Sequence, residues 1–191
     1  MVLEIPEHLL PMAMFTDNPY SFFGFAIRRF EGMEVTHSCW LNKPRKVASQ
    51  NLLYNETDIE TYLKTYNIRF LYNRDWTADT RGLVQKEIQR KLDAPWYKQR
   101  YDTVGIVGQY LHLPVLNIPW LRYCSESVAD DIRLTGGPSS PPKHGNPAQL
   151  YQWCLDNGFV EYGRYYVSLA DCATVLNKVY KALGVRKETS L

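Results

Sequence analysis

Arg122-Tyr123-Cys124-Ser125-Glu126-Ser127-Val128 marks the place where a segment broken by Pro114 and Pro119 gives way to helix-forming sequence. At about 100° per residue, Cys124, Val128 and Ile132 fall on one side of a helix predicted over 124–134, so the sulfur faces inward, toward a sheet. A helix start gathers partial positive charge and open backbone N–H groups, and both favour the thiolate, the nucleophilic form of cysteine. Packing alone gives the same placement, because free cysteine is among the most buried residue types. What the rest of the chain brings to the sulfur decides between the two.

Upstream, Glu34-Val35-Thr36-His37-Ser38-Cys39-Trp40-Leu41 alternates in polarity and reads as a strand, with His37 on the apolar face of Val35, Cys39 and Leu41. Asn42-Lys43-Pro44-Arg45 is a turn by composition, and residues 46–51 return as the second strand of a hairpin. A short helix is predicted over 21–30. Thr57-Asp58-Ile59-Glu60 has capping-box spacing and starts a helix over 58–65, with a strand at 68–72. Residues 78–92 have helical periodicity, placing Leu83, Val84, Ile88 and Leu92 on one face. A helix follows over 101–111. Asn146 as N-cap, Pro147 at the first helical position and Gln149 three residues on start another, reaching about Asp156. Residues 160–167 read as a strand, and Ser168 caps a last helix to about Leu183. The stretch 135–145, rich in glycine and proline, is a surface loop. The pattern is α+β, a small antiparallel sheet packed against the helix that starts at Cys124.

The chain has 191 residues, 45% hydrophobic and 22% charged. That length holds one domain with a sizeable core, read here as 1–191, and the composition sets aside collagen-like, disordered and membrane-spanning classes. Lys and Arg number 22 against 20 Asp and Glu. So small an excess offers no broad attraction to nucleic acid or an anionic membrane. Fourteen tyrosines, by contrast, are the residue type enriched where proteins pack together. The segment 103–121 carries no charged side chain but is interrupted by Pro114, Pro119, Gln109, His112 and Asn117, and reads as buried core rather than a membrane span. Acids and a proline near Met1 argue against a signal peptide.

Cys39, Cys124, Cys154 and Cys172 include no CxxC pair, so neither a zinc ribbon nor a disulfide framework is expected. Cys154 and Cys172 read as helix core. His37-x-Cys39 with a remote Cys124 or His144 supplies one short ligand pair where structural zinc uses two, and no metal or cofactor is expected. Gly105-x-x-Gly108 lacks the spacing and the lysine of a phosphate loop. Glu126, Asp130 and Asp131 are placed on the wet side of their helix. What remains is Cys124 with His37, an imidazole able to act as general base to a thiol if both project into one space.

His37 on an early strand, Tyr101-Asp102-Thr103-Val104-Gly105-Ile106-Val107-Gly108 on a helix, and Tyr123-Cys124-Ser125-Glu126-Ser127-Val128 opening another resemble the circularly permuted NlpC/P60-like group of papain-like cysteine hydrolases, in which the histidine precedes the cysteine. The likeness spans about residues 15–151, including the segment Thr16-Asp17-Asn18-Pro19-Tyr20 ahead of the histidine strand, and is strongest at 123–128. It implies a papain-like fold with Cys124 as nucleophile, His37 as base and backbone N–H groups at the helix start as oxyanion hole. It also implies a third residue on the strand after the histidine, about a dozen positions on, which lands on Ser49. Hairpin parity puts Ser49 and Asn51 on the face of His37 and Gln50 on the other, making Asn51 the second choice.

The implied activity is cleavage of amide or ester bonds in a peptide or acyl substrate, cell-wall peptides among them, in bacteria or bacteriophage. Without an export signal, such a protein is expected in the cytoplasm or carried in a phage particle. Neither Ser49 nor Asn51 is the histidine or acid often found at the third position. That departure sustains a second reading, a virion or tail structural protein with assembly partners that kept the fold while its site decayed.

Overall fold

The computed structural model describes residues 5–19, 35–100, 102, 122–137 and 139–168. Six strands, β1 (Met12–Asp17), β2 (His37–Lys43), β3 (Lys46–Gln50), β4 (Tyr54–Asp58), β5 (Asn67–Asn73) and β6 (Phe159–Tyr165), form one antiparallel sheet in the order β4-β3-β2-β1-β5-β6. The helices are α1 (Ile59–Leu63), α2 (Ala78–Leu92), α3 (Cys124–Arg133) and α4 (Pro147–Asp156). The class is α+β, with a larger sheet than the sequence suggested. Predicted helices over 21–30, 101–111 and 168–183, the core reading of 103–121 and Cys172 lie outside the described residues.

Alternating side chains divide the core in two. On one face of the sheet Ala13, Phe15, Trp40, Ala48, Tyr54 and Leu71 meet Val84 and Ile88 of α2, Val128, Ala129 and Ile132 of α3, and Leu150, Tyr151 and Cys154 of α4. On the other, Met12, Met14, Cys39, Leu41, Val47, Ile68 and Phe70 are covered by Ile59 and Tyr62 of α1. Strand β1, which no alternation announces, is buried at every residue because it feeds both layers. A continuous apolar run is the mark of such a strand. Strand β4, polar and at the sheet edge, also carries no strand pattern.

The hairpin turn narrows to Pro44-Arg45, since Asn42 and Lys43 remain in the strand, and Arg45 adopts a φ of 66°. Its cations face acids on the neighbouring elements: Lys43 to Glu56 at 3.2 Å, Arg45 to Glu60 at 3.0 Å and Lys46 to Asp58 at 3.8 Å. Helix α1 begins one residue later than Thr57 allows, because Thr57 pairs with Val47 in the sheet and Asp58 accepts the Glu60 N–H instead. Strand β2 starts at His37, not Glu34; Val35 precedes it and packs in the helical layer. Helix α2 has its predicted bounds, but Leu83 is exposed. Helix α4 realises the full capping box at Asn146 and Gln149.

Candidate active site

His37 is the first residue of β2, half-buried, and its Nε2 lies 2.8 Å from Ser49 Oγ. The pairing Trp40↔Ala48 and Leu41↔Val47 puts Ser49 beside Cys39, one step from His37 on the same face. Ser49 is fully buried. Gln50 takes the opposite parity and donates from Nε2 to the Gln99 carbonyl at 2.6 Å. Asn51 lies past the end of β3 and is exposed. Tyr62 of α1 completes the neighbourhood: its buried hydroxyl lies near the side chains of Ser49, Asn51 and Cys39, and burial holds the phenol well above its ordinary range. The sequence gives no hint of Tyr62 beyond the three-residue spacing Ile59 to Tyr62, which marks a buried helix face.

Cys124 opens α3 and is 3% exposed. Its N-cap, Tyr123, makes no side-chain cap. Burial first, then the Cys124 thiol, pushes the Cys39 thiol well up, so Cys124 lies within electrostatic range of the strand residue two past His37. The body of α3 packs in the helical layer, with Trp40, whereas His37 and Ser49 project from the other face of the strands. For thiol and imidazole to meet, they must do so around the end of the sheet at which β2 begins. With Nε2 held by Ser49, Nδ1 is the imidazole nitrogen left to face a thiol.

Two contacts tie the segment before α4 to the helix start. Ser125 Oγ donates to the Gly145 carbonyl at 2.7 Å, and His144 Nδ1 lies 2.6 Å from Glu126 Oε1. A Cβ at Gly145 would come within 2.6 Å of Pro142 Cβ, so this approach requires glycine. Arg133 donates to the Pro141 and Pro142 carbonyls at 3.0 and 2.8 Å, pinning the second half of the predicted surface loop.

The acids of α3 depart from expectation. Glu126 and Asp131 are buried, because sheet, α2 and α4 cover the helix on nearly every side; only Asp130 reaches the surface, between Arg122 and Arg133. Asp131 accepts from Trp40 Nε1 at 2.8 Å and pairs with Lys91 Nζ at 2.6 Å. Burial pushes its carboxyl up to about 6 against the pull of Lys91. His144, the remote metal-ligand candidate, faces Glu126 instead, and among the described residues no three His, Cys, Asp or Glu side chains converge. Cys39, Cys124 and Cys154 carry thiols rather than disulfides. No described helix is long and apolar enough to cross a membrane.

No protein-family model matches the chain, and no curated protein matches it.

Proposed function

We propose that the chain is a thiol hydrolase of the circularly permuted NlpC/P60-like type, with Cys124 as nucleophile, His37 as base and Ser49 as the residue that orients the base. The observation that carries this reading is the 2.8 Å contact of His37 Nε2 with Ser49 Oγ. When the Ser49 oxygen accepts Nε2–H, the imidazole lone pair sits on Nδ1. Nδ1 takes the Cys124 proton and the thiolate attacks an amide or ester carbonyl carbon. Backbone N–H groups at the start of α3 stabilise the oxyanion. The imidazolium returns its proton to the leaving amine or alcohol, and water, deprotonated by His37, hydrolyses the thioester. Cell-wall peptides are suitable amides, and a phage particle is a means of carrying such an enzyme to them.

Iodoacetamide at near-neutral pH tests this in the folded chain. Cys124 is expected to alkylate faster than Cys39, Cys154 and Cys172, and His37→Ala to slow it. The Cys39 and Cys154 thiols, pushed up by burial, set the slow baseline. Equal, slow labelling of all four overturns the enzyme reading. It would leave the second one, a virion or tail structural protein with a decayed papain-like site, which the near-complete burial of Cys124 favours.

A further inference from the structure

On the helical side of the sheet a cleft of about 650 Å³ opens between β3, β4, the end of α2, the turn Trp96–Lys98 and α3. That volume suits a small-molecule ligand. Among the described residues its wall carries five cations, Arg90, Lys91, Lys98, Arg100 and Arg122, against two acids, Glu87 and Asp130. Three of the five are already engaged. Arg90 forks onto Glu87 at 2.7 and 2.5 Å, Arg122 is held by Asp130 at 2.6 Å, and Lys91 is shared by Asp131 and Ser127. Lys98 and Arg100 stand exposed at the rim, with no carboxylate among the described residues paired to either. The Arg100 guanidinium lies 5.8 Å from the centre of the Trp96 ring, within cation–π range.

A second observation points the same way. Tyr54, 3% exposed, belongs to the same wall, and its hydroxyl is buried without a hydrogen-bond partner. Such a group costs free energy unless something supplies an acceptor. Burial and the nearby Asp131 hold the phenol well up, so it stays protonated and can donate.

We propose that this cleft binds a small organic oxyanion, a carboxylate or a phosphate on a compact apolar body, with Lys98 and Arg100 as counter-charges and the Tyr54 hydroxyl as donor. Excess positive charge at the rim and an unmet donor in the wall are complementary to one kind of group, an anionic acceptor. The site lies on the face opposite His37 and Ser49 and does not depend on the chemistry of Cys124.

Calorimetric titration of the full chain with phenyl phosphate and with N-acetylglutamate tests it. Saturable binding of at least one probe is expected, and which one binds distinguishes phosphate from carboxylate. The double variant Lys98→Glu, Arg100→Glu, both at exposed positions, should weaken it at least about tenfold, and added salt should weaken it further. Tyr54→Phe should weaken it about fivefold without lowering the thermal midpoint, since the hydroxyl it removes has no partner to lose. Cys124→Ala should leave binding intact, which separates this site from the thiol reading. Absence of saturation by either probe up to about 10 mM, or unchanged affinity in the double variant, overturns the proposal.

Discussion

The Ser49 hydroxyl can hold an imidazole in place, but it carries no charge to stabilise an imidazolium as a carboxylate would. In the proposed hydrolase its role would be geometric, fixing which nitrogen of His37 is available. Ser49→Ala should slow alkylation of Cys124 about fivefold at neutral pH, the worth of one ordinary hydrogen bond, while the far-ultraviolet circular dichroism stays unchanged. An undiminished rate would remove Ser49 from the site. The choice of Ser49 over Gln50 is available from strand parity, because side chains alternate and Val47 has to be buried. Tyr62 is not available in that way. It lies on the face of His37 and Ser49 only because α1 crosses from β4 to β5 over that face, and a crossing leaves no mark in local residue pattern.

At the scale of the element, α3 shows how a helix can be recognised and its surroundings misjudged. Its start at Cys124 is predicted, yet acids at 126 and 131 suggest a broad wet side where the fold leaves only a strip at Asp130 and Arg133. Whether a charged residue faces water depends on how many neighbours cover the helix, and periodicity reports only one face. Asp131 gives a test with a definite sign. Its carboxyl titrates near 6 in the folded chain against an ordinary 3.8, so the folded state holds the proton more tightly. The stabilisation that Asp131 contributes when protonated is complete below pH 3.8 and is lost as pH rises through 6. Wild-type stability measured by urea unfolding should therefore decline from pH 4 to 7 relative to Asp131→Asn, by at most about 1.4 kcal/mol per pH unit. Parallel pH profiles for the two proteins would refute the shift.

For the molecule as a whole, elements with termini written into them were the legible ones. Asn146, Pro147 and Gln149 announce α4, and the spacing of Val84 and Ile88 announces α2. The hairpin of β2 and β3 follows from alternation and Pro44. Strands β1 and β4 escaped because one opens on the unbroken apolar run of residues 12–15 and the other is polar at every residue after Tyr54, so neither shows a period of two. Strand β1 is nonetheless the centre of the architecture, hydrogen-bonded to β2 on one edge and β5 on the other. Its amides should be among the slowest to exchange with deuterium, approaching the rate set by global unfolding, while those of the edge strand β4 exchange faster. Comparable protection in the two strands would contradict this arrangement.

The position of β1 also bears on vectorial synthesis. A nascent chain leaving the ribosome presents Met12-Ala13-Met14-Phe15 long before Asn67–Asn73 has been translated, and until then one flank of that segment has nothing to bond. The interval is a window in which a holdase or a neighbouring polysome product can capture the strand, so translational pausing between these two stretches would lower the yield of native protein.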